Sequence, residues 1–216
     1  MQSMTRFLKD WMWELVVLSV LLVDAVVTLL GTAYGLSLAP WLRPFSLDIE
    51  WHVAAIWSAM VIFAAGAVAE TAMRRAHSQY WLAVLTGLFL LMTLDELMSF
   101  HERLEGWTGI DWQRLYLPVF LVSGLAWLRG VRWQGWPSTL SVLFIAGGVA
   151  WALAQVLEYI QWDGNVQRSF YMYAMIPEEG LEMLGSSFFL FAILGLVISM
   201  DSKHSSDVVS EPVHSV

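Results

Sequence analysis

YWLAVLTGLFLLMTLDELMSFHERLE, residues 80–105, decides how this chain is to be read. Tyr80 to Met92 carries no charged side chain, and it runs straight into Asp95, Glu96, His101, Glu102, Arg103 and Glu105. The apolar part has the character of a membrane helix. The acids therefore sit where that helix meets, or has not yet left, the hydrocarbon. Ionisable groups at such a depth are costly, usually face the interior of a helix bundle and mark function.

The rest of the composition agrees. Of 216 residues, 58% are hydrophobic and only 14% charged, and mean hydropathy is +0.61. A soluble domain is nearer half apolar with about a quarter charged. There is no cysteine, which removes disulfides, thiolate ligands, iron–sulfur clusters and cysteine nucleophiles together. A net charge of −8 argues against a nucleic-acid partner. Lys9 and Lys203 are the only lysines, and both lie outside the apolar runs. A Schiff-base lysine inside the bundle is excluded.

Six apolar segments give an all-α integral membrane bundle, with spans expected at residues 11–34, 51–73, 80–100, 115–128, 138–159 and 177–200. The first is too long, and carries Glu14 and Asp24, to be the apolar core of a signal peptide. Residues 1–200 form one transmembrane domain, and the Ser-rich tail 201–216 is expected to be disordered. Arg6, Lys9, Arg74, Arg75, Arg129, Arg132 and Lys203 fall on the side of the termini, against Arg43, Arg103, Arg114 and Arg168 on the other. That bias places both termini in the cytoplasm. Tryptophans cluster at both expected boundaries, as aromatic belts do.

This topology gathers distant acids at one end. Asp95, Glu96, His101 and Glu102 end span three, Glu158 ends span five, and Glu178, Glu179 and Glu182 open span six. His52 opens span two from the same side, and Asp24 lies about midway through span one. At about 100° per residue, Asp95 and Glu102 superimpose if the helix continues through Glu105, with His101 on an adjoining strip and Glu96 turned elsewhere. Pro177 suits the first position of a helix, so Glu178 and Glu179 have an alternative reading as ordinary helix-start acids. His52 beside Trp51 also reads as a boundary residue. Four arginines on that side cannot neutralise eight carboxylates. Some of the acids must be protonated, exposed at the rim or bound to cations.

Carboxylates with one or two imidazoles make an ordinary shell for a hard or borderline divalent ion. The expected ligands are Asp95, His101, Glu102 and Glu182, with Glu158 or Glu179 as general base. Asp24, His52, Glu96 and Glu178 are further polar intramembrane groups. The di-iron Glu-x-x-His repeat, a His-Glu-x-x-His pair and a Gly-x-Ser-x-Gly elbow are all absent.

Leu94-Asp95-Glu96 followed by His101-Glu102-Arg103-Leu104, and then Glu178-Glu179-Gly180-Leu181-Glu182-Met183-Leu184-Gly185, resembles a group of uncharacterised bacterial multi-pass membrane proteins. The resemblance implies a bacterial inner-membrane location and carries no activity. The residues themselves lead to three expectations. One is a divalent-metal-dependent enzyme acting on a lipid or lipid-linked substrate. The second is a proton- or cation-coupled transporter using Asp24. The third is a non-catalytic membrane partner protein.

Overall fold

The computed structural model describes residues 2–47, 49, 51–75, 80–134, 138–163 and 166–210. Helices dominate: α1 (Gln2–Gly35), α2 (Val53–Arg75), α3 (Tyr80–Met98), α4 (Phe100–Thr108), α5 (Trp112–Gln134), α6 (Ser138–Gln161) and α7 (Tyr171–Ser210). A 3-10 turn, Pro40–Phe45, follows α1, and a two-residue hairpin, β1 (Trp162–Asp163) with β2 (Val166–Gln167), joins α6 to α7. Six of the helices are long and apolar enough to cross a membrane, α4 being the exception. The chain is an all-α, multi-pass membrane bundle.

α7 is the central post. It packs on α6, α2 and α1, while α2 packs on α3, and α3 on α5. Small residues permit the close approaches, as they do between membrane helices generally. A Cβ on Gly147 of α6 would lie 2.9 Å from the Gly185 carbonyl oxygen of α7, and one on Gly185 would lie 2.9 Å from that of Gly147. On α2, Ala65, Ala69 and Ala72 are fully buried in the core that holds Leu82, Leu85 and Phe89 of α3. The helices form an open ring in the order α5, α3, α2, α7, α6.

Several boundaries differ from those read in the sequence. The third span is expected to end near residue 100, and the condition for stacking Asp95 on Glu102, a helix continuing through Glu105, is not met. The span stops at Met98, because Ser99 adopts a left-handed backbone (φ 47°, ψ 48°), and α4 starts afresh at Phe100. Asp95 and Glu102 are therefore not stacked along one helix. The fourth span runs from Trp112 to Gln134, and the fifth reaches Gln161. Pro177 does not open the sixth span: α7 begins at Tyr171 and carries Pro177 inside it. Membrane helices tolerate such a proline where other groups satisfy the freed backbone. Glu178 and Glu179 thus lie in the second and third turns, and the helix-start reading fails for both. α7 also continues through residues 201–210 of the expected tail; residues 211–216 lie outside the described part.

Candidate functional site

The break at Ser99 is what makes the site. It turns the chain back so that His101, six residues on, meets Asp95 at the end of α3. The Asp95 carboxylate is buried, 3% exposed, and takes three hydrogen bonds of 2.8 Å each. Its Oδ1 accepts the backbone N–H of His101 and the hydroxyl of Tyr116, and its Oδ2 faces His101 Nδ1. The backbone bond caps the start of α4, where Ser99 itself makes no side-chain cap. With Nδ1–H donated to Asp95, Nε2 is the ring atom left to exchange a proton.

His101 feels opposing influences. Burial pushes its imidazolium down from the ordinary 6.5, but the hydrogen bond and charge of Asp95, with the charges of Glu158 and Glu102, outweigh burial and leave it raised. Its ring lies 4.9 Å from that of Trp112. Trp112 Nε1 in turn donates to Glu158 at 3.0 Å, and Gln113 Nε2 donates to the same carboxylate at 3.2 Å. Glu158, on α6, is thus held by two donors from α5.

These groups open onto one cavity of about 710 Å³. Asp95, Glu96, His101, Glu102, Glu158, Glu178, Glu179 and Glu182 all line it, so the convergence expected from topology is present in the structure. Neutral donors hold several of the acids. Gln155 Nε2 donates to Glu182 at 3.1 Å, and Gln161 donates to Glu178. Further in, the wall is aromatic. Phe120, Trp151 and Phe189 make successive edge contacts there, with Tyr116 packed behind Phe120, and Trp127 stacks on Phe144. The cavity is acidic at one end and apolar towards the middle of the bundle.

Two expected members are elsewhere. Asp24 is 6% exposed and accepts Trp57 Nε1 and the Ser187 hydroxyl, each at 2.7 Å. It ties α1 to α2 and α7, and it does not line the cavity. The transporter reading set Asp24 beneath an acidic vestibule; here its carboxylate joins helices instead of lining the cavity. His52 does not line the cavity either. The residues expected as a divalent-ion shell are not gathered as one here. Among the described residues no three His, Asp or Glu side chains are gathered closely enough to hold a metal ion. Both oxygens of Asp95 are occupied by hydrogen-bond donors, Glu102 is exposed at the rim, and Glu182 is engaged with Gln155.

A family profile matches residues 11–196, nearly all of the bundle. The chain belongs to the DUF8692 family. That family is described as a domain of unknown function, which agrees with a resemblance that carried no activity. No curated protein and no solved structure matches the chain. The matched span includes every residue of the cavity wall, so the site belongs to the DUF8692 domain itself and not to an appendage.

Sequence reasoning missed several partners within this domain. Tyr116 gave no signal beyond a hydroxyl on an apolar helix, one turn after Trp112. Trp112 read as part of an aromatic belt, and its indole N–H is in fact spent on Glu158. Gln155 was visible, three residues before Glu158 on a polar stripe of α6. Gln161 lay just past the expected end of that span.

Proposed function

We propose that this DUF8692 protein is a membrane-embedded general acid–base enzyme acting on the polar head of an amphipathic molecule held in the cavity. The observation that carries the reading is the Asp95 carboxylate, which fixes His101 through both its backbone N–H and its Nδ1 while also holding Tyr116. A buried carboxylate in this position sets the imidazole's orientation and tautomer and favours its protonated form. His101 is the proton donor and acceptor, and Asp95 and Tyr116 are positioning residues. Glu158, whose charge reaches His101, and Glu179 are the second proton-handling candidates. General acid–base assistance of this kind contributes about 10²–10⁴-fold to a rate.

The cavity's polarity supports an amphiphile. A head group finds carboxylates, amides and an imidazole at one end, and an apolar tail finds aromatic rings at the other. The excess of Lys and Arg on the side of the termini supports placing that acidic end on the extracytoplasmic face of a bacterial inner membrane.

The test is reaction with a lipid mixture. Protein purified in mild detergent is incubated with total bacterial lipid extract and followed by untargeted mass spectrometry. The proposal expects a head-group mass change with the native chain that is lost with His101→Gln and Asp95→Asn. No change with the native chain, or a change that both variants retain, refutes it.

A further inference from the structure

The ring of helices around the cavity is closed everywhere except at one seam. Going round it, α5 packs on α3, α3 on α2, α2 on α7 and α7 on α6. α5 and α6 follow one another in the chain, yet their backbones hardly approach. Side chains bridge them instead, at separate levels. Trp112 and Gln113 reach Glu158 at the acidic end. Phe120 meets Trp151 at 6.5 Å, edge to face, and deeper in Trp127 stacks on Phe144 at 5.3 Å with the rings 3° from parallel.

Between the two aromatic bridges lies a window. Phe120 and Trp127 are seven residues apart on α5, a rise of about 10 Å. Gly124 lies between them, and on antiparallel α6 Gly148 lies between Phe144 and Trp151. Both glycines line the cavity and are exposed. A Cβ added to either would meet no atom within 4 Å. Leu117, Ile145 and Ala152 share this property of lining the cavity while being exposed. The seam therefore has little backbone contact and no side chain at either glycine to fill it. Gly124 is twelve residues into α5, about 18 Å along the helix. In a hydrocarbon layer about 30 Å thick the window is near the midplane, where only alkyl chains reside.

We infer that the cavity is filled from within the bilayer, with the alkyl chain of a membrane lipid passing sideways between α5 and α6 at Gly124 and Gly148 while its head group rests among the carboxylates. The inference rests on the cavity being the ligand site, but not on His101 performing chemistry there. It specifies the substrate class as bilayer-resident lipids. Water-soluble molecules of similar head group, which would enter at the acidic end, fall outside it.

The absence of cysteine in the chain makes a reversible test available. The protein is reconstituted into phosphatidylcholine vesicles doped with a phosphatidylcholine that carries a diazirine near the end of one acyl chain. Illumination followed by peptide mass spectrometry locates the label. The expected result is labelling of the α7 segment around Phe189, deep in the cavity wall. In a Gly124→Cys/Gly148→Cys chain, bridging the thiols with a cleavable bis-methanethiosulfonate abolishes that labelling, and reductive cleavage restores it. Gly148→Trp abolishes it permanently, and Gly87→Trp leaves it intact, since Gly87 has the same open space but lines a different groove between α3 and α5. The same polypeptide is compared with itself before and after cleavage, so a misfolded tryptophan variant does not remove the test. No label near Phe189 in the native chain, or label indifferent to bridging, overturns the inference. His101→Gln is expected to label like the native chain, so failed chemistry and failed entry give different results.

Discussion

Asp95→Asn and Asp95→Ala are expected to do different damage, because the two carboxylate oxygens have different duties. Oδ1 serves the His101 backbone N–H and Tyr116, whereas Oδ2 serves only His101 Nδ1. Asparagine can place its carbonyl oxygen at Oδ1 and keep both structural bonds. Its NH2 then faces Nδ1, which has to accept rather than donate. In the neutral ring the proton moves to Nε2, and the atom meant to take a proton no longer has its lone pair. Stability should fall by about 1 kcal/mol or less, while any turnover falls by about 10²–10⁴-fold. Alanine removes both duties. It orphans the hydroxyl of Tyr116, a residue 5% exposed, at about 1–3 kcal/mol, and uncaps the first turn of α4 at about 1 kcal/mol. His101 Nδ1 is partly recovered by water, its side chain being 24% exposed. The total is about 3 kcal/mol. Thermal unfolding in detergent measures the stability difference, and ¹⁵N NMR of histidine-labelled protein reads the tautomer. Equal destabilisation by the two variants, or an unchanged His101 tautomer in Asp95→Asn, would refute the division of labour between the oxygens.

Three further outcomes follow from the same geometry. The raised proton affinity of His101 in the folded protein means that its contribution to stability is complete below the ordinary 6.5. That contribution is lost as pH rises through the higher folded value; unfolding temperature should decline across that window in the native chain and not in His101→Gln. Asp24→Ala should cost about 1–3 kcal/mol, two interhelical bonds at membrane values, whereas Asp24→Asn, which can still accept from Trp57 and donate to Ser187, should cost clearly less; equal losses in an unfolding titration would count against the lock. Gly185→Ala should destabilise by about 1–3 kcal/mol through overpacking, because its Cβ would fall 2.4 Å from Trp151 Cδ1, while Gly148→Ala should leave the unfolding midpoint unchanged.

The spans were legible because hydrophobic length is a one-dimensional property, and so was the gathering of acids at one end, which needs only alternation of direction. Phase within a span demands more, since it assumes that the helix is unbroken. Proline gave the wrong answer at 177 because its local preference for a helix start was overridden. Tyr171 to Ile176 already form helix there, with Met175 buried against Val27 and Met183. Asp24 shows a different limit. A mid-span carboxylate is equally consistent with a conducting path and with a lock, and its partners Trp57 and Ser187, 33 and 163 residues away, leave no mark in the local sequence.

Ser99 shows why the site itself could not be read from the sequence. Nothing about Met98-Ser99-Phe100 announces a break, since there is no glycine or proline, and a serine with φ of 47° is an uncommon conformer. An unbroken helix would stack Asp95 with Glu102, two acids, which points to a cation between them. The left-handed turn puts His101 on Asp95 instead and leaves Glu102 at the rim. The change of partner is a change of contact, from two stacked carboxylates to a carboxylate–imidazole pair 2.8 Å apart. The conformer persists because its surroundings compensate. Ser99 N–H donates to the Asp95 carbonyl at 2.8 Å, and the Asp95 side chain caps the helix that the break creates. One residue therefore both ends a membrane span and builds the pair at its end, so substitutions that relax the turn should disable His101 without touching it.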